Sequence, residues 1–139
     1  MNVSVEKPAG DDRSSREYHI EEPADARAYE EQVHALIDHA AGLGLKVRLV
    51  PIGGRWPDVV VDQQLQAFAE SLSRQADYAS RRALRLSTEL PHLYTWAYNI
   101  GRTMDFFSYV TSEKLVNTVD SSHWGTAGYD LMALFAKLG

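Results

Sequence analysis

The 139-residue sequence contains no cysteine. Disulfide bonds, thiolate nucleophiles and cysteine-ligated zinc are therefore excluded. No apolar run approaches the roughly 20 residues that span a bilayer. Residues 1–22 lack the apolar h-region of a secretory signal. The sequence as written is thus expected to be soluble and cytoplasmic, with no membrane span. A basic excess is also missing. Lys and Arg total 14 against 19 Asp and Glu, for a net charge of −5. Broad nucleic-acid binding needs a basic face and is not expected.

What is present fits an ordinary folded domain. Hydrophobic residues make up 45% and charged residues 24%, near the averages for globular proteins. The length suits one domain. Residues 1–22 gather Pro8, Gly10, Asp11, Asp12, Ser14 and Ser15, which reads as a flexible leader. Residues 23–139 read as a single α/β domain.

Periodicity divides that domain into elements. Tyr29, Val33, Leu36, Ile37 and Ala40 fall on one helical face, between Pro23 at the start and Gly42 and Gly44 at the stop. Leu45, Val47 and Leu49 alternate with Lys46 and Arg48, which predicts a strand over 45–52, closed by Pro51 and a Gly53-Gly54 loop. Leu65, Phe68, Ala69, Leu72 and Ala76 predict a second helix over 62–80, with Asp62 as its cap. Arg81–Leu86 fits either a short strand or an extension of that helix. Leu93, Trp96, Ala97, Ile100, Met104 and Phe107 have helical spacing. Leu115–Val119 leans to strand. Leu131, Met132, Phe135 and Leu138 predict a last helix opening at Thr126. Helix, glycine turn and strand in this order read as half of an α/β unit.

The most chemically suggestive stretch is Val119-Asp120-Ser121-Ser122-His123-Trp124-Gly125. A serine hydroxyl attacks only when a base lies within reach and a third group fixes that base's tautomer. Asp120 accepting from Nδ1 of His123 would leave Nε2 free toward a hydroxyl. The plainer reading is a turn capped by Asp120, with Ser121 and Ser122 as ordinary turn residues.

With the apolar strand before it and the amphipathic segment after it, this block resembles the C-terminal half of SGNH/GDSL-type hydrolases, whose last block is Asp-x-x-His. The resemblance covers residues 29–139, and its specific part is about ten residues around His123. It implies a three-layer, flavodoxin-like or SGNH-like partial sheet flanked by amphipathic helices. It also implies an ester hydrolase or O-acyltransferase acting on a small-molecule or saccharide ester without metal or other cofactor. By that resemblance His123 is the base, Asp120 its partner, and Trp124, Gly53 and Gly54 line the pocket. The Gly-Asp-Ser nucleophile block of that family is missing. Gly10-Asp11-Asp12 is the nearest string, so the chain would be incomplete or degenerate. A sheet cut in this way exposes an edge, which implies a homo-oligomer.

Other constellations have plainer explanations. His34 and His39 are five apart, so their side chains diverge around a helix. Arg74, Arg81, Arg82 and Arg85 form one basic stretch, most simply a solvated face. Tyr94, Trp96, Tyr98, Phe106, Phe107 and Tyr109 are most simply core. As an interface they would support the alternative of a non-catalytic α/β interaction domain.

Overall fold

The computed structural model describes residues 18–50, 60–92, 95, 97–126, 128, 130, 132–133 and 136. Its elements run α1 (Pro23–Gly42), β1 (Val47–Leu49), α2 (Val61–Ser80), β2 (Arg85–Glu89), α3 (Ile100–Tyr109), β3 (Leu115–Thr118) and α4 (Ser121–Thr126). The three strands pair in parallel in the order β1-β2-β3. Sequential strand order with right-handed crossovers puts successive helices on the same side of a sheet. Accordingly α2 packs on β2 and β3, and α1 and α3 pack on α2. Among the described residues this gives two layers, helices over sheet, where a three-layer partial sheet was expected.

The first two helices match their periodic stripes. Tyr29, Val33, Leu36, Ile37 and Ala40 are buried along α1, and Leu65, Phe68, Ala69, Leu72 and Ala76 along α2. Tyr29 sits edge-on between Tyr18 and Phe68, with ring centroids 5.9 and 5.5 Å away. Burial pushes its phenol pKa far up, so the hydroxyl stays protonated. Residues 18–22 were read as part of the leader, yet Tyr18 and Ile20 belong to this core. Gly44, at φ +74°, closes α1 and turns the chain into β1. That left-handed backbone favours glycine. Asp62 does not cap α2. Val60 holds that position without a side-chain bond, and Asp62 instead pairs with Arg102 of α3 at 2.7 Å.

The remaining elements differ more from the periodic pattern. The ambiguous segment at 81–86 resolves into a turn through Ala83 (φ +55°) and then β2. Of the residues with helical apolar spacing, Ile100, Met104 and Phe107 lie in α3, Ala97 precedes it, and Leu93 and Trp96 lie outside the described residues. The cause is local: the Asn99 side chain accepts from the Arg102 N–H at 2.8 Å, and Thr103 Oγ1 donates to the Asn99 carbonyl at 2.9 Å, which starts the helix there. Two serines anchor the α3–β3 connection to α2. Thr111 N–H donates to Ser73 Oγ at 3.0 Å, and Ser112 Oγ donates to Asp77 at 2.5 Å. The last predicted helix lies mostly outside the described residues, and Met132, assigned to its apolar face, is exposed.

Two arginines of the basic stretch join α1 to α2. Arg74 pairs with Glu30, and Arg82 with Asp38. The Arg82 guanidinium lies 3.5 Å from the Tyr78 ring centroid, and Tyr78 donates to Asp38 at 2.9 Å. His34 stacks on the same ring at 4.0 Å. Together these clamp the outer faces of α1 and α2. The aromatic segment divides: Phe106 is in the core, Phe107 packs against it, and Tyr109 is exposed. Tyr94 and Trp96 lie outside the described residues.

Candidate functional site at the C-terminal ends of the strands

In parallel α/β sheets, ligands meet the loops at the C-terminal ends of the strands. Here β2 ends on Glu89, and Glu89 pairs in register with Thr118, the last residue of β3. Asp120 follows two residues later, and His123 lies one turn into α4. Glu89, Asp120 and His123 each present one ligand atom such that all three atoms lie within 4.8 Å of one another. Each of the three is half-buried.

Two side-chain arrangements hold this geometry. The first is Asn117, which extends the β2–β3 pairing beyond the ladder. Its Oδ1 accepts from Leu90 N–H and Thr88 Oγ1, both at 2.9 Å, and its Nδ2 donates to the Leu90 carbonyl at 2.9 Å. The residue after Glu89 is thereby tied to the strand that leads to Asp120. The second arrangement involves Asp120 itself. Its Oδ1 accepts from the Ser122 N–H at 2.8 Å and the Ser122 hydroxyl at 2.6 Å. These two bonds are the largest causes holding the Asp120 carboxyl below the usual carboxylate range; burial opposes them, and the nearby His123 and the Glu89 carboxyl add smaller lowering effects.

His123 Nε2 faces Asp120 Oδ2 at 3.7 Å. The His92 ring stands 4.6 Å from the His123 ring, tilted by 56°. His92 is fixed by its backbone: its N–H donates to the Ala97 carbonyl at 3.0 Å, and its carbonyl accepts from Thr95 Oγ1 at 2.8 Å. Trp124, in the same short helix, is buried.

This geometry differs from that of a serine-hydrolase triad. A triad needs Nδ1 of the histidine on the carboxylate and Nε2 turned outward to a hydroxyl. Here Nε2 faces Asp120 Oδ2 at 3.7 Å, and Asp120 Oδ1 accepts from Ser122. Asp120 and His123 do come together as the spacing suggested, but a second carboxylate, Glu89, joins them. Glu89 was missed on sequence. The available signal was a carboxylate closing a β-leaning segment, just before Pro91. Asn99 caps α3 through its side chain. Gly53 and Gly54 lie outside the described residues, as does the Gly10-Asp11-Asp12 string.

No protein-family model and no curated protein matches the sequence. Solved structures do match in fold. A protein assigned as a sugar phosphate isomerase/epimerase from Anabaena variabilis aligns with TM-score 0.71 and 18% identity, over 83% of this chain and 41% of its own. An L-ribulose 3-epimerase aligns with TM-score 0.66 and 17% identity, over 80% and 40%. A D-allulose 3-epimerase from Methylomonas sp. aligns with TM-score 0.63 and 17% identity, over 76% and 40%. The chain therefore spans about two-fifths of the length of these structures, whose fold is of the TIM-barrel type.

The described residues share the fold of part of a TIM-barrel-type α/β structure. It is not SGNH-like or flavodoxin-like, and the esterase and acyltransferase expectations fall with that resemblance. The sequential strand order gives the physical reason. A doubly wound sheet reverses its order and covers both faces with helices. A barrel keeps sequential order and one helical face.

Proposed function

We propose that this chain forms part of the catalytic end of a sugar isomerase or epimerase, with Glu89, Asp120 and His123 as a divalent-cation site that engages the sugar's oxygens. The observation that carries this reading is the convergence of two carboxylates and one imidazole at the C-terminal ends of adjacent parallel strands. The fold relationship to sugar epimerases supports the choice of substrate class.

The donor set fits a cation. Two carboxylates this close repel when both are ionised, unless a proton or cation sits between them. Two carboxylate oxygens and one imidazole nitrogen suit Mn²⁺, Mg²⁺ or Zn²⁺ and leave room for further ligands. Glu89 and Asp120 would bind through oxygen and His123 through Nε2. A cation bound there would polarise a sugar carbonyl and acidify the adjacent C–H.

The chain's own residues prepare the site. Ser122 keeps one Asp120 oxygen occupied and turns the other inward. Asn117 holds the β2 exit, and with it Glu89, beside β3. His92 backs the His123 ring, and buried Trp124 anchors the helix that carries it. None of these roles needs a serine nucleophile.

The test is Mn²⁺ binding followed by electron paramagnetic resonance, first alone and then with a ketohexose such as D-allulose. Stoichiometric binding that is lost in His123→Ala, with a spectrum altered by the sugar, is expected. Absence of Mn²⁺, Co²⁺ and Zn²⁺ binding at millimolar concentration, measured calorimetrically, would overturn the reading.

A further inference from the structure

Successive strand residues point to opposite faces. Leu86 and Leu115 pair in register and lie in the core beneath α2. Ser87, Glu89 and Thr118 therefore share the other face, which carries one carboxylate of the cluster. On that face Ser87 is buried and Thr118 is exposed. Their hydroxyl oxygens are hydrogen-bonded at 2.8 Å. A hydroxyl has one hydrogen to give and two lone pairs. Ser87 Oγ donates its hydrogen to the Thr88 carbonyl at 3.0 Å, and a carbonyl can only accept. The hydrogen between the two side chains must then come from Thr118. Thr118 Oγ1 is left with lone pairs alone on its open side.

We propose that Thr118 Oγ1 is a fixed acceptor that selects for a donating hydroxyl on the sugar, beside the oxygens held by the cation. The proposal rests on the cation reading of Glu89, Asp120 and His123 and adds a specificity residue to it. Glu89 stands directly opposite Thr118 in register, and Asp120 lies two residues beyond it. Neighbouring strands are only about 4.8 Å apart. A sugar that meets the cation through two of its oxygens carries further hydroxyls on the next carbons, within that span. An acceptor with no hydrogen to give takes a hydroxyl there. It disfavours a carboxylate or an ether oxygen, which brings no donor. The substrate class is thereby narrowed to sugars with a free hydroxyl next to the cation-bound oxygens. A site built to hydrogen-bond a substrate hydroxyl discriminates strongly against the analogue that lacks it.

The test titrates the Mn²⁺-loaded chain with D-allulose and with a series of its analogues that each lack one hydroxyl, read from the Mn²⁺ paramagnetic resonance spectrum. Thr118→Val keeps the shape of the side chain and removes the hydroxyl. It is expected to bind Mn²⁺ as the parent does and D-allulose about tenfold more weakly. One analogue, disfavoured by the parent, should bind Thr118→Val as well as D-allulose does, because the lost group and its acceptor form one coupled pair. Thr118→Ser should restore both the affinity and the discrimination. Unchanged D-allulose affinity in Thr118→Val, with Mn²⁺ binding intact, would overturn the proposal and leave the cation reading standing. Equal weakening of every analogue would overturn it too, because a merely structural threonine acts on all of them alike. A parent chain that binds no Mn²⁺ would remove the cation reading and this proposal together.

Discussion

Glu89 and Asp120 meet because β2 and β3 are in parallel register: Glu89 pairs with Thr118, and Asp120 lies two residues beyond it. The two carboxyls are 31 residues apart in sequence, yet they share one cluster with His123. Their closeness costs something in the absence of a counter-charge, and this gives a first prediction with opposite signs in two measurements. Glu89→Gln removes one negative charge and keeps the shape. Without cation, its thermal midpoint should equal or exceed that of the parent. Its Mn²⁺ affinity, by calorimetry, should fall about tenfold or more. A lowered midpoint together with unchanged affinity would show that Glu89 is only a structural group.

Asn117 makes three bonds to the exit of β2. Asn117→Leu leaves the Leu90 N–H and carbonyl without these partners, which costs about 1–3 kcal/mol for a buried polar group left unsatisfied. Urea unfolding should show that loss. Cation affinity should fall as well, because Glu89 immediately precedes Leu90. A destabilised variant with parental affinity would separate the strand tie from the site.

Phe68 is buried at the centre of the α1–α2 contact and meets Tyr29 edge-on. Phe68→Ala is predicted to destabilise by about 3–5 kcal/mol, transfer and cavity terms together. Met104→Ala, on the exposed side of α3, should stay within about 0.5 kcal/mol of the parent. Chemical denaturation distinguishes the two, and equal effects would place the core elsewhere.

Ser122 bonds Asp120 through both its hydroxyl and its N–H, and these bonds are the main reason the Asp120 pKa is lowered. A carboxyl with a depressed folded-state pKa adds stability above its unfolded value, and loses that contribution as pH falls through the folded value. Ser122→Ala should therefore move the Asp120 titration, followed by carboxyl-carbon NMR, back up toward the ordinary range. The stability difference from the parent should be largest near neutral pH and vanish in strong acid. An unmoved Asp120 titration would mean the hydroxyl bond does not form in solution.

How much was legible in the sequence varies by element. The stripes of α1 and α2 could be read directly, because a 3.6-residue apolar period is a local signal and both helices bury one face. The strand lean of Leu115–Val119 and the closeness of Asp120 to His123 were also local. At Ala97 the apolar spacing misled, because spacing says nothing about where a helix starts. Asn99 decides that through a single cap. The loop of Asp120 and His123 left its use open for a related reason: Asp-x-x-His suits a serine triad and a group of metal-ligating side chains equally well on spacing alone.

The sequence by itself determined the α/β character, the two long helices, the absence of thiol chemistry, and an aspartate one helical turn before a histidine. Only the tertiary structure decided that Glu89 completes their cluster, that the His123 Nε2 faces Asp120, and that the helices cover one face of a sequentially ordered sheet. The physical reason is range. Periodicity and capping act over a few residues and leave a local trace in the chain. The register of β2 against β3 arises from pairing between distant segments, and it is that pairing which sets Glu89 beside Asp120 and His123.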